Sequence, residues 1–371
     1  MVLSGVKAME NAYLAKLEAL DGLLSERLFY LMEVCITSDT YSSEKRYANL
    51  REAPPGLLPI AYTVELALYS AYVEPYDPLS LLIIAPVGSG KTELLKAYSV
   101  NKGTVLYNDF TAFGLTTLLG QIQAGIVKHV MIADLVRLTA RGNPVWHQIL
   151  LSLNTLIEEG VTRIDTFHIH FQSPTPIKAG VIAALTTDEW KARRKQWLRF
   201  GFLSRAVPIS YHLAPEDIQR GEEQLYRSEQ SFKPVKLNLP EKNVTVAVPE
   251  KYREALKRLG TIIAAVNQDE TRFRSHKHVL AMAKASALRE DRTEVSSEDV
   301  NLLKALSVLW LSPYSGDEPS FRIMLMLPAK STQLVDSLSQ LYSPATIYRR
   351  LNYLEKLKAI RRIGEEWHPN L

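Results

Sequence analysis

The sequence predicts an α/β fold, in which a parallel sheet with flanking helices is followed by smaller, mainly helical units. Three observations predict it. Strand-like apolar runs alternate with helix-compatible runs from about Leu81 to Tyr211, the pattern of a parallel sheet covered by helices. At one strand–helix junction stands Ala85-Pro86-Val87-Gly88-Ser89-Gly90-Lys91-Thr92, a phosphate-binding loop in form. The chain of 371 residues is long enough for two or three domains with buried cores.

Residues 1–50 are expected to be helical, with Leu14, Leu17, Leu20, Leu24, Leu28 and Leu31 at helix-like intervals. Pro54-Pro55-Gly56 breaks the chain. A helix over Ala61 to Tyr72 then leads into the strand Leu81 to Ile84. In the loop that follows, Gly88 and Gly90 allow a tight turn with inward N–H groups. The N-terminus of the next helix adds its positive dipole there. Lys91 can reach the β/γ-phosphates of a nucleotide, and the Thr92 hydroxyl can ligate Mg²⁺. Pro86, Val87 and Ser89 complete the cradle, and Ala85 takes a position where glycine is usual, at the strand end.

Further strands are expected at Gly103–Tyr107, Val130–Ala133, Gly180–Leu185 and Ala206–Tyr211, with helices at Thr116–Gln123 and Gln148–Glu159. Between Thr162 and Lys178 the residues alternate in the manner of a β-hairpin, ending at Pro174-Thr175-Pro176. His168 and His170 share one face of it, with no third ligand near in sequence, and read as an exposed strand face. Asp134, at the end of a strand, is the best candidate for the second carboxylate that such a loop needs to hold Mg²⁺.

Pro215 to Pro249 is polar and irregular, as a linker would be, and Lys251 to Leu311 is helical. The expected units are an N-terminal helical region (1–50), a nucleotide-binding core (51–214), a linker with a helical lid (215–312) and a C-terminal domain (313–371).

The net charge of +4 gives no global field for nucleic acid, so any basic footprint must be local. One cysteine, Cys35, excludes an intramolecular disulfide and a multi-cysteine metal site, and fits a reducing cytoplasm. The first residues lack the apolar core of a signal peptide, and no apolar run is long enough to span a bilayer. A cytoplasmic location is expected.

The loop Ala85 to Thr92, the strand-end Asp134 and the order of elements resemble the AAA+ ATPases over roughly residues 55–305. The hairpin before Gly180–Leu185 is similar to that of the branch containing MoxR-type ATPases and MCM helicases. The resemblance implies bound ATP and Mg²⁺, and a homo-oligomer, as a ring or filament. It implies a polar "sensor 1" at Thr187, or at Thr186, near the γ-phosphate. It implies an arginine finger at Arg205, with Arg199 as the alternative, reaching a neighbouring subunit's nucleotide. It also implies a "sensor 2" arginine in the lid at Arg274, or at Arg272. The family usually follows the strand-end Asp with Glu. Here Leu135 stands in that place, so hydrolysis is slow or another carboxylate substitutes, with Glu158 and Glu159 as candidates.

Three helices are expected at Phe321–Leu327, Gln333–Leu338 and Ser343–Leu357, then two short strands around Gly364-Glu365. This order is similar to a winged-helix domain, whose third helix would turn Tyr348, Arg349, Arg350 and Asn352 toward a DNA groove. Arg349, Arg350, Lys356, Lys358, Arg361 and Arg362 outnumber the acidic residues there and make a local positive footprint. The expected function is ATP-driven action on DNA or a nucleoprotein complex. The alternatives are a MoxR-type chaperone with a protein partner, or a weakly hydrolysing assembly switch.

Overall fold

The computed structural model describes residues 57–75, 77–139, 143–165, 170–211, 213, 215–227, 233–266, 269, 271–310, 318–339 and 342–369. The N-terminal helical region and His168 lie outside them. Helix α1 (Leu58–Ser70) leads through a short strand β1 (Val73–Glu74) to β2 (Leu81–Ala85), the glycine-rich loop and α2 (Lys91–Tyr98). Then come β3 (Gly103–Tyr107), α3 (Ala112–Thr116), α4 (Leu119–Gln123), β4 (Val127–Ile132), α5 (Val136–Thr139) and α6 (Asn143–Asn154). α6 runs on into a π-helical turn, Thr155–Glu159. The hairpin β5 (Val161–Asp165) and β6 (His170–Ile177) precedes β7 (Gly180–Thr186), α7 (Thr187–Arg199) and β8 (Val207–Ser210).

Strands β3-β4-β7-β2-β8, in that order, form one sheet in which every neighbouring pair is parallel. The mixed α/β class with a parallel sheet and flanking helices is therefore as expected. Strand side chains alternate between the two faces. Leu81, Ile83, Met131, Ile182 and Ala184 enter one core with α1 and the later helices. Leu82, Ile84, Val130, Ile132, Ala183 and Leu185 enter the other with α6 and α7. Burial on both faces explains why these strands read as unbroken apolar runs.

Two elements depart from expectation. The helix expected over Thr116–Gln123 is two short helices. The Thr116 and Thr117 hydroxyls donate to the Phe113 and Gly114 carbonyls (2.6 and 2.7 Å) and close the first helix where the second would have joined it. The polar stretch after Pro215 holds a helix, α8 (Pro215–Tyr226), whose few apolar residues, Ile218, Leu225 and Tyr226, are exposed. Among its described side chains no apolar one is buried, so no apolar periodicity marks it in the sequence.

A second short strand, β9 (Val244–Thr245), pairs with β1, and α9 (Glu250–Val266), α10 (Phe273–Arg289) and α11 (Ser297–Trp310) pack on the first core. Arg289 near the end of α10 is buried against Glu65 of α1 at 2.6 Å, and Tyr98 at the end of α2 donates to the same carboxylate at 2.7 Å. These bonds satisfy a fully buried glutamate and fasten α10 to the helix that follows the loop. The C-terminal unit is α12 (Glu318–Met326), β10 (Ala329–Lys330), α13 (Ser331–Leu338), α14 (Pro344–Lys356), β11 (Ile360–Ile363) and β12 (Glu366–Pro369). Its three strands form an antiparallel sheet in the order β10-β12-β11.

Candidate functional site

The glycine-rich loop lies at the C-terminal edge of the parallel sheet, where open α/β sheets bind their ligands. Gly88 and Gly90 both take left-handed backbone (φ +79° and +86°), which a side chain would strain. A Cβ on Gly88 would meet nothing within 4 Å. Lys91 folds back over the turn. Its ammonium donates to the Ala85 and Pro86 carbonyls at 2.8 and 2.5 Å and to Ser89 Oγ at 3.1 Å. Burial lowers its pKa to about 8, against the opposing pull of the Asp134 charge. A cation so placed, with neutral acceptors around it, is complementary to an anion.

Thr92 Oγ1 donates to the Ala133 carbonyl at 3.3 Å, which puts the hydroxyl beside the residue preceding Asp134. One Asp134 oxygen accepts from Val136 N at 3.0 Å, and the other lies 3.9 Å from Arg137 Nε. Hydroxyl and carboxylate together are a hard oxygen pair of the kind Mg²⁺ takes. Thr186 pairs in register with Ala85, so the end of β7 adjoins the start of the loop. Its hydroxyl caps α7 by accepting from Glu189 N at 3.2 Å. Thr187 Oγ1 is buried with no hydrogen-bond partner among the described residues.

Tyr211 was not singled out by sequence. It follows β8, is buried, and donates to the Ser89 carbonyl at 2.9 Å, so it props the loop from below. Burial raises its pKa far above the tyrosine range, which keeps the hydroxyl a donor. No local pattern marks such a residue, since the contact spans 122 positions.

Leu135 is fully buried in the core shared with Ile132, Leu138 and Trp146. The place after Asp134 therefore faces the interior.

Arg205, Arg274 and Glu159 are not at this edge. Arg205 stands two residues before Val207, which pairs with Leu81 at the opposite, N-terminal edge. The π-helical turn is held at that edge by the bond from Ala179 N to the Leu156 carbonyl, next to the start of β7. From Leu81 to Ala85 the strand rises roughly 13 Å. Glu159 is ion-paired there with Arg205 at 2.5 Å, so the structure does not bring it to the loop of its own chain as a substitute base. Glu158 is bound to both Arg205 and Arg274. Arg199, at the end of α7, is exposed, and Arg272 is the left-handed N-cap of α10.

In the C-terminal unit α14 buries Ile347, Leu351 and Leu354 and exposes Tyr348, Arg349, Asn352 and Lys356. Ser343 caps it by accepting from Thr346 N at 3.2 Å. Arg350 differs from its expected outward placement. It is half-buried, 5.5 Å over the Tyr353 ring, because its position lies between the exposed face and the buried one. Arg361 and Arg362 are exposed on β11, and Arg362 lies 5.9 Å over the Trp367 ring. His170 is exposed and 3.2 Å from Asp165, and the described residues contain no group of three or more metal-ligating side chains. No described helix is long and apolar enough to cross a membrane.

No protein-family model and no curated protein matches the sequence. Among solved structures, the chain is similar to a candidate ATPase from Cytophaga hutchinsonii, at 9% identity and a TM-score of 0.36, over 78% of this chain and 88% of that one. It is also similar to a variant of RuvB from Thermotoga maritima, at 11% identity and a TM-score of 0.27, over 84% and 90%. Likeness at that level carries no argument, and the fold class rests on the sheet and its helices.

Proposed function

We propose that this chain is an oligomeric AAA+ ATPase that binds Mg-ATP and acts on DNA or a nucleoprotein complex, by loading, translocation or remodelling, in replication or in a mobile element. The observation that carries the reading is the juxtaposition of Lys91, Thr92 and Asp134 around the glycine-rich loop at one strand edge. The loop N–H groups and Lys91 would hold the nucleotide phosphates, and Thr92 and Asp134 would hold Mg²⁺. Bound Mg²⁺ supplies neutralising charge on the phosphoryl oxygens. The Thr187 hydroxyl, buried with no partner among the described residues, would orient a water.

Arg205 and Arg274 share the edge opposite their own loop, so they would serve a nucleotide held by another copy of the chain. Subunits carrying Arg205→Ala mixed with subunits carrying Lys91→Ala should recover part of the hydrolysis that each lacks alone. A chain that stays monomeric in ATP by light scattering would refute the oligomer.

The C-terminal unit supports a winged helix with α14 presented to DNA. Duplex binding by the full chain should weaken with salt, and Arg349→Ala should lower the salt slope by about 1. Binding indifferent to salt would remove the DNA reading and favour a protein partner.

A second reading, the slow assembly switch, is favoured by buried Leu135. Turnover is expected well below the ~1–10³ s⁻¹ typical of enzymes. A rate inside that range would exclude it.

A further inference from the structure

Two nitrogens of Arg205 donate within its own chain, and the third, Nε, is buried beside a carboxylate without a hydrogen bond to it. Nη1 donates to the Gly201 carbonyl at 2.8 Å, Nη2 to Glu159 Oε1 at 2.5 Å, and Nε lies 2.8 Å from Glu158 Oε2. Glu158 also accepts from Arg274 Nε and Nη2 at 2.9 and 2.7 Å, while Arg274 Nη1 donates to Ser204 Oγ at 2.9 Å. Both carboxylates stand on the π-helical turn Thr155–Glu159, a local geometry often kept at functional positions. Gly160 ends the turn at φ +78°, with Pro176 and Lys178 so close that a Cβ there would clash at 2.6 Å. The turn is thereby fixed in place. Arg205 is only 13% exposed, whereas Glu159, its outermost partner, is 52% exposed.

A guanidinium so engaged cannot offer its fork to a phosphate without giving up a carboxylate. We propose that Glu158 and Glu159 are an intrasubunit cage, which holds Arg205 and Arg274 until a second copy of this chain presents nucleotide phosphates to this edge. The proposal rests on the reading of these arginines as acting between subunits. The exchange substitutes a polyphosphate for two carboxylates, so it favours the triphosphate, with its greater charge, over the diphosphate. Burial opposes ionisation of Glu158, but the hydrogen bonds and charge of Arg274, with Arg205 and Lys277, outweigh it and hold the carboxyl below its ordinary pKa. Glu158 is therefore charged at neutral pH.

Sedimentation velocity of the full chain in ATP and in ADP, for the unmodified protein, Glu159→Gln and the Glu158→Gln/Glu159→Gln double variant, tests this. The midpoint concentration for ATP-dependent assembly should fall about threefold in the single variant and about tenfold in the double one. ATP affinity of the dilute chain should not change, because its own loop is at the other edge. An unchanged or raised midpoint, with assembly still dependent on ATP, overturns the cage and leaves the intersubunit reading standing. Absence of ATP-dependent assembly in the unmodified chain overturns both. If the double variant loses ATP affinity through misfolding, Glu159→Gln alone decides, since Arg205 there keeps Glu158 and Gly201.

Discussion

At the C-terminal edge of the sheet one ammonium, Lys91, folds on to neutral carbonyls. At the N-terminal edge two guanidiniums, Arg205 and Arg274, meet two carboxylates. At the first edge burial outweighs the pull of the Asp134 charge and lowers the Lys91 pKa. The second edge is neutralised from within. An anion arriving at the first restores something the fold lacks, whereas an anion arriving at the second must displace something the fold has. The first edge can therefore bind as a lone chain, and the second is suited to a conditional event such as assembly.

The sharpest break between the edges is expected from Lys91→Ala. With the loop's cation gone, ATP affinity should fall by at least about a hundredfold, or ~3 kcal/mol. Arg205→Ala, measured in the same dilute titration, should change affinity by less than about twofold. Comparable losses in the two variants would mean that both edges serve one nucleotide within a single chain.

Leu135→Glu comes next in size. Its side chain points into the core with Trp146 and Leu138, so the substitution buries a carboxylate among apolar side chains. Destabilisation of about 3 kcal/mol is expected in urea unfolding. No gain in turnover should accompany it, because the carboxylate is not delivered to the loop. A faster and equally stable variant would show that this position can swing out to the phosphates.

Much of the first edge was legible in the sequence. Lys91, Thr92 and the glycines act over eight consecutive residues, and Asp134 ends an apolar strand, so local pattern suffices. The sheet strands were legible for the same reason, since burial on both faces leaves unbroken apolar runs. The second edge was legible only by residue type. Glu158, Arg205 and Arg274 are far apart in the chain, and nothing local tells a caged arginine from a solvated one. Tyr211 was opaque likewise, since its role depends on where β8 lies beside β2. The split of α3 from α4 and the helix α8 were missed because threonine back-bonding and weakly apolar helices leave little periodicity.

The smallest expected effect is a pH dependence confined to the first edge. The Lys91 pKa in the free chain is lowered to about 8, and the phosphates of ATP favour the charged amine. Below pH 8 the free pocket is already mostly protonated, and affinity should be level. Above it the free amine loses its proton, and each binding event must take one up. Raising the pH from 7 to 9 should therefore weaken ATP binding about tenfold, if the bound ammonium regains an ordinary lysine pKa. Calorimetry in two buffers of different ionisation enthalpy would detect the uptake, close to one proton at pH 9 and little at pH 7. Assembly through Arg205 and Arg274 brings no such term over this range, because guanidiniums remain charged and Glu158 is held well on the ionised side. A level affinity from pH 7 to 9 would mean that Lys91 is not desolvated as its three loop acceptors indicate. The contrast between the two edges would then rest on geometry alone.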